Sequence, residues 1–215
     1  MKVDVSRNRR NWSGNETVSK TFSEWYDFFM SPLERGRFKK IRLQLLENAS
    51  GRVLELGSGT GVNFPFYRDV EVTAIEPSPF MVARSLKRKE QSPVPIEVVQ
   101  AGAEQLPFPD NSFDTVVATL VFCTIPNAEA ALEEIKRVCK PGGKVLMFEH
   151  VKMTQPSLAK LQEVLTPYWE KVCDGCCLNR ETHLLVEKNG FYLEETKDYY
   201  KSLFKTMILK NEKKG

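Results

Sequence analysis

The sequence predicts an α/β fold, a seven-stranded and mostly parallel sheet with helices on both faces and a C-terminal antiparallel hairpin. Three observations carry this. Short apolar runs alternate with helical patterns over residues 50–150, the rhythm of parallel strands joined by crossover helices. The first apolar run meets a turn with glycine at every second position: Gly57, Gly59 and Gly61. After residue 151 the rhythm becomes two helices and then two strand-like runs, which can pair as a hairpin on the sheet edge.

The elements follow in order. Residues 1–20 are polar and aperiodic, and a mobile tail is expected there, ahead of one domain over residues 21–215. Phe22, Trp25, Tyr26 and Phe29 recur at helical spacing. A second helix opens at Ser31-Pro32, with proline in its first turn, and runs to about residue 48. Leu33, Phe38, Ile41 and Leu45 form its apolar side, and Arg35, Lys39, Lys40 and Arg42 are assigned elsewhere. Strands are expected at 53–56, 70–75, 96–99, 113–120 and 144–150, with helices at 79–89 and 129–139. Pro141-Gly142-Gly143 stops the second of these helices ahead of the fifth strand. Helices at 157–172 and 180–188 flank an Asp174-Gly175 turn, and strands at 191–196 and 203–209 close the chain.

With 215 residues, 41 % of them apolar and 27 % charged, the chain suits one soluble domain with a full core. A net charge of +3 provides no strong field toward nucleic acid. Basic residues gather at Arg7, Arg9 and Arg10, at Lys87, Arg88 and Lys89, and at Lys210, Lys213 and Lys214. These clusters read as solvated surface, or as a weak peripheral membrane contact worth about 1 kcal/mol per cation at an anionic lipid surface. No apolar run approaches the ~20 residues that span a bilayer, and residues 1–13 lack a secretory leader's apolar segment. A cytoplasmic chain with five reduced cysteines is expected.

The glycine turn, Glu55-Leu56-Gly57-Ser58-Gly59-Thr60-Gly61, lies at the carboxyl end of the first strand, where open α/β sheets bind ligands. Glu76 stands nineteen residues beyond Gly57, at the end of the second strand, where a carboxylate can accept both ribose hydroxyls. The dinucleotide fingerprint is G-x-G-x-x-G; here the spacing is G-x-G-x-G, with an acid beside the turn. That acid, Glu55, would repel a pyrophosphate and suits a ligand with a cationic end, such as the ammonium of a methionine moiety.

Residues 53–61 resemble the first motif of class I S-adenosylmethionine-dependent methyltransferases, which have a Rossmann-like fold. Ala103-Glu104-Gln105-Leu106-Pro107-Phe108, with Ser112-Phe113-Asp114, resembles their adenine-side loop and fourth strand. Val138-Cys139-Lys140-Pro141-Gly142-Gly143 resembles the turn before their fifth strand. The resemblance implies S-adenosylmethionine as methyl donor and S-adenosylhomocysteine as product. It implies that Glu55, Gly57, Ser58, Gly59, Thr60 and Gly61 hold the methionine part, with Asn63 also in the cofactor site. Glu76 then serves the ribose, Met81, Ala103 and Glu104 flank the adenine, and Pro77, Thr119 and Leu120 are further cofactor-binding residues. Many relatives carry an acid just before the alanine of the adenine loop; this chain has Gly102, so Glu104 or backbone must replace it.

The segment after the fourth strand indicates the acceptor. It lacks the Asn/Asp-Pro-Pro-aromatic run of amino-methylating DNA enzymes, and Cys123 follows Phe122 rather than a proline, so base methylation is not expected. Leu120, Val121, Phe122 and Ile125 instead form an apolar floor, with Cys123 beside it. Residues 59–67, 119–124, 148–151 and 174–182 resemble the microsomal alkyl-thiol S-methyltransferases (the methyltransferase-like-seven family). Those relatives carry an apolar membrane-anchoring segment at the front, and this sequence shows none. Similar chains also include phospholipid N-methyltransferases and quinone C-methyltransferases. A small-molecule or lipid-like acceptor is therefore expected, a thiol among the candidates; a non-catalytic binder of the cofactor is the alternative. In similar enzymes a leading helix folds over the cofactor as a lid, here the helices over about 21–48, with Tyr26 at the substrate pocket.

His150 ends the fifth strand on the ligand-bearing edge. It reads either as a base for a thiol, whose free pKa of about 8.5 leaves little thiolate at neutral pH, or as a strand-end histidine bonded to backbone. Cys173, Cys176 and Cys177, with His183, do not match a structural zinc pattern, and no metal is expected. Asp174 either fixes a turn there or belongs to a loop that caps the acceptor pocket.

Overall fold

The computed structural model describes residues 36–213 apart from Asp174, and of Val172 the backbone alone. The expected tail, the helix bearing Trp25 and Tyr26, the start of the next helix and Asp174 lie outside the described residues.

The elements run α1 (Arg37–Leu46), β1 (Arg52–Leu56), β2 (Glu71–Ile75), α2 (Pro79–Lys89), β3 (Ile96–Val99), β4 (Phe113–Thr119), α3 (Ala128–Val138), β5 (Cys139–His150), α4 (Pro156–Val172), α5 (Thr182–Lys188), β6 (Phe191–Tyr199) and β7 (Phe204–Asn211). The strands form one seven-stranded sheet in the order β3-β2-β1-β4-β5-β7-β6. The first five pair in parallel, and β7 pairs antiparallel with both β5 and β6. The expected hairpin forms, with the later strand as the inner one.

Burial on both faces explains why the central strands are apolar without alternation. Leu54, Val116, Val145 and Met147 face a core capped by α3 through Ala131, Leu132 and Ile135. Val53, Val117, Leu146 and Phe148 face the opposite core, filled by Phe38, Ile41 and Leu45 of α1. Adjacent residues of one strand thus feed different cores, as the period-two side-chain geometry requires.

Local chemistry sets the helix starts. Pro79 stands at the first turn of α2, and the Ser78 side chain caps it by accepting from Met81 N–H. The Asn127 side chain caps α3 by accepting from Ala130 N–H at 3.1 Å.

Three expectations need correction. Pro141-Gly142-Gly143 does not precede β5 but lies within it. Phe113 pairs with Cys139 and Thr115 with Lys144, so the extra residues are absorbed as an irregularity that reopens the register. β4 ends at Thr119, because Leu120 turns to φ +55°. Arg42 does not sit on the outer side of its helix; it is buried at 3 % exposure.

Candidate functional site

The carboxyl ends of β1, β2, β4 and β5 share one sheet edge, and the glycine turn leaves β1 there. Ser58 N–H donates to Ile75 C=O at 2.9 Å and Gly61 N–H to Ser58 C=O at 2.8 Å, which curls the turn over the end of β2. Gly57 has φ +57°, and a Cβ on it would lie 2.1 Å from Val121 Cγ2, so the turn packs directly on the segment after β4. Gly59 has φ +54°, and a Cβ there would meet nothing within 4 Å among the described residues. The turn therefore presents bare backbone to open space at Gly59.

Glu76 ties this turn to α2. One carboxylate oxygen accepts from Gly59 N–H and the other from Ser78 N–H, both at 2.9 Å. Met81 is buried at the start of α2, and Gln100 donates to Pro77 C=O at 3.1 Å. Glu104 folds back over Gly102: its Oε2 lies 3.2 Å from where a Gly102 Cβ would stand. The missing side chain at residue 102 thus leaves room for the Glu104 carboxylate. Ala103 is buried beside it. Among the described residues, the buried Ser58 Oγ has no hydrogen-bond partner. An orphaned hydroxyl, open backbone at Gly59 and a carboxylate at Glu76 together fit a ligand with polar groups along one side, as S-adenosylmethionine has.

A buried polar network lies beneath the turn. Asn63 donates from Nδ2 to Glu55 Oε1 and to Thr119 Oγ1, both at 2.9 Å. Arg42 donates from Nη1 to Asn63 Oδ1 at 3.0 Å and to Thr119 Oγ1 at 2.7 Å, and its guanidinium lies 5.6 Å from the Phe148 ring centroid. Tyr67 OH donates to Glu55 Oε2 at 2.9 Å. Burial pushes the Glu55 carboxyl up to about 7; the bonds from Tyr67 and Asn63 and the charge of Arg42 oppose it.

The segment after β4 is held by Glu149, which the sequence did not single out. Leu120 N–H donates to Phe148 C=O at 2.7 Å, in a left-handed conformation that costs about 1–2 kcal/mol outside glycine. The Glu149 carboxylate then accepts from Val121 N–H at 3.1 Å and Phe122 N–H at 3.2 Å. It is wholly buried, and burial raises it to about 7 against those two bonds. Phe122, Cys123 and Ile125 are buried, and Leu120 and Val121 half-buried.

The loop over 173–181 docks on this segment. Arg180 Nη1 donates to Phe122 C=O and Ile125 C=O at 2.6 Å each, and Cys177 N–H to Cys123 C=O at 2.9 Å. Gln162 of α4 anchors the loop by donating to Leu178 C=O at 2.9 Å. The docking brings Cys176 to His150, with Sγ 3.1 Å from Nε2. Cys123 donates to Cys176, which holds the Cys176 thiol well below its ordinary value; the same bond and burial push Cys123 up. Among the described residues, the buried His150 Nδ1 has no hydrogen-bond partner.

The structure thus gathers Glu55, the glycine turn, Asn63, Glu76, Thr119 and the segment over 120–123 at one sheet edge, with His150 beside them. It does not gather Cys173, Cys177 and His183; among the described residues the cluster that forms is Cys123, His150 and Cys176. Arg42 and Glu149 were missed as site residues. Arg42 carried a signal, since it lies four residues after Phe38 and three before Leu45 and so shares their stripe.

Residues 54–147 match the family described as the methyltransferase domain. Thiol S-methyltransferase TMT1B of Rattus norvegicus is 34 % identical over 192 residues, covering 82 % of this chain and 78 % of that protein. Phosphatidylethanolamine N-methyltransferase of Cereibacter sphaeroides is 35 % identical over 160 residues, covering 71 % and 77 %. Among solved structures, an S-adenosylmethionine-dependent methyltransferase from Thermotoga maritima superposes with a TM-score of 0.67 at 24 % identity, covering 91 % of this chain and 98 % of that one.

Proposed function

The chain belongs to the S-adenosylmethionine-dependent methyltransferases, and from that premise we propose that it methylates the sulfur of a small apolar thiol. S-adenosylmethionine is its methyl donor. In this reading the turn from Gly57 to Gly61 carries the methionine part, with Ser58 Oγ as a donor or acceptor in waiting and Glu55 and Asn63 bracing the turn from below. Glu76 takes the ribose hydroxyls, with Pro77 alongside, and Met81, Ala103 and Glu104 border the adenine. Thr119 and Leu120 flank the methyl group. Residues 21–215 act as one domain, with the leading helices as its lid.

The observation that carries the acceptor assignment is the docked loop over 173–181. It belongs to a run that resembles thiol methyltransferases, and its Arg180 and Cys177 bond the backbone of the apolar segment that holds Val121, Phe122 and Ile125. Such a wall takes an apolar acceptor and excludes water. A thiolate is already a strong nucleophile, so alignment rather than proton transfer supplies most of the rate, with positioning worth about 7–11 kcal/mol. His150 acts on the site through the Cys176 sulfur that it touches and is a positioning residue. Thiols of this kind stay reduced in the cytoplasm, where we place the chain; among the described residues no helix is long and apolar enough to cross a membrane.

A second reading, methylation of a phospholipid amine at a membrane surface, draws on α4. Its Leu161, Val164, Leu165, Tyr168 and Trp169 form one exposed apolar stripe, with Tyr168 71 % exposed. The two readings separate in one assay: transfer of labelled methyl to alkyl thiols, to phosphatidylethanolamine vesicles and to quinols. Transfer to alkyl thiols is expected. Transfer to the vesicles, with none to thiols, would replace the first reading with the second.

A further inference from the structure

Cys123, His150 and Cys176 come from three separate segments: the turn after β4, the last residue of β5, and the loop after α4. One ligand atom from each lies within 4.8 Å of the other two. Cys123 and His150 are at least nine-tenths buried, and Cys176 is half-buried. The backbone bond from Cys177 N–H to Cys123 C=O and the two from Arg180 to the same turn hold the sulfurs at this separation.

Two thiols and an imidazole are a soft donor set. Zinc(II) binds sulfur at about 2.3 Å and imidazole nitrogen at about 2.0–2.1 Å, so tetrahedral ligands around it stand about 3.4–3.8 Å apart. The three ligand atoms already lie within 4.8 Å of one another, with His150 Nε2 and Cys176 Sγ 3.1 Å apart, so each pair stands within about 1.5 Å of that spacing. A further observation concerns the imidazole. It is buried, and among the described residues its Nδ1 has no hydrogen-bond partner and its one polar contact is the Cys176 sulfur. A metal bond at Nε2 would fix this ring where no Nδ1 hydrogen bond does.

We propose that Cys123, His150 and Cys176 form a site for a soft divalent cation, zinc(II) foremost, with a fourth position open to the acceptor sulfur. Three protein ligands with one open position is the pattern of catalytic rather than structural zinc. The role of the fourth position rests on the thiol reading above; the metal site does not. The cation takes both sulfurs as thiolates, and any proton they carry goes to solvent. An alkyl thiol then displaces a metal-bound water and gives its own proton to solvent. Its sulfur, held as thiolate, uses a lone pair to form the new carbon–sulfur bond. The bond between the methyl carbon and the sulfonium breaks, and its electron pair stays on sulfur as S-adenosylhomocysteine. The product is a neutral thioether, a weaker ligand than the thiolate, and it leaves. The cation keeps its charge throughout, so no oxidant or reductant is needed.

The test uses the full chain, purified under a phosphine reductant without chelator. Zinc titrated against a chromogenic chelator should bind one per chain with a submicromolar dissociation constant. Cys176→Ser and His150→Ala should each weaken it at least tenfold. Cobalt(II) in its place reports the site without any variant: thiolate-to-metal charge transfer and the visible bands of a tetrahedral ion should appear, and an alkyl thiol should shift those bands. Absence of zinc binding at micromolar concentration, or of the thiolate charge-transfer band, overturns the metal site. Thiol methylation at full rate by metal-free protein overturns the catalytic role while leaving the thiol reading intact. Stoichiometric zinc with no methylation of any thiol upholds the metal site and sinks the thiol reading.

Discussion

Arg42 Nη1 donates to Thr119 Oγ1 at 2.7 Å, joining a helix ahead of the sheet to the end of its central strand across 77 positions of sequence. The same nitrogen reaches Asn63, so one buried cation spans α1, the segment after the glycine turn and β4.

Arg42→Ala should therefore act at two levels. It leaves the oxygens of Asn63 and Thr119 buried with a partner lost, and it removes the cation that faces Glu55. Chemical denaturation should show a loss of about 2–4 kcal/mol. Calorimetry should show weaker S-adenosylmethionine binding in whatever fraction remains folded. Arg42→Lys should recover little of either, since an ammonium cannot reproduce the planar guanidinium that lies over the Phe148 ring. Full recovery by lysine would mean that charge alone matters at this position.

Glu55 should make stability fall as pH rises. Its folded value of about 7 lies above the ordinary 4.5, so between those values the folded chain keeps a proton that the unfolded chain has released. That contribution is fully present below pH 4.5 and lost as pH rises through 7. The gap bounds it at about 3 kcal/mol. Denaturation midpoints at pH 5 and pH 8 should differ more in the wild type than in Glu55→Gln. Equal differences would show that Glu55 titrates normally.

Gly57 and Gly59 should answer the same substitution differently. Gly57→Ala drives a Cβ to within 2.1 Å of Val121 and should unfold the segment after β4, with loss of several kcal/mol. Gly59→Ala meets nothing within 4 Å among the described residues and costs about 1 kcal/mol for its positive φ. The Gly59→Ala protein should stay folded yet bind S-adenosylmethionine at least tenfold more weakly, because the methyl occupies the ligand's space. Unchanged affinity would move the ligand away from this turn.

Glu149→Ala leaves Val121 N–H and Phe122 N–H buried without acceptors, at a cost of about 2–4 kcal/mol. Glu149→Gln keeps one acceptor oxygen and should keep the fold. Its KM for the acceptor should rise more than its KM for S-adenosylmethionine, because the acceptor floor is what moves. An equal rise in both would assign Glu149 a purely structural role.

How much of this was written in the sequence varied with how local the cause was. α2 and β3 fall on the expected residues, 79–89 and 96–99, because Ser78-Pro79 and the flanking prolines mark them within a few positions. The glycine turn and Glu76 were legible because their spacing is itself the signal. Leu120 was not: nothing in a leucine announces a positive φ, and the conformation is imposed by Phe148 and Glu149 from the neighbouring strand. Arg42 was misread because its charge outweighed its position on an apolar stripe. The grouping of Cys123, His150 and Cys176 was invisible for a different reason. It exists because β5 lies beside β4 and because Arg180 docks a distant loop, and neither fact is carried by the residues around the cysteines.

The strand order also has a consequence in time. β7 is the last of the seven described strands to be translated, yet it lies between β5 and β6. Until residue 211 clears the ribosome, β5 has an open edge, with the backbone groups that later pair with β7 exposed along residues 144–150. A nascent chain stalled before that point holds a nearly complete site for its cofactor beside an unsatisfied and strongly apolar border, the kind that captures other chains. The hairpin is then less an appendage than the step that covers the edge of β5.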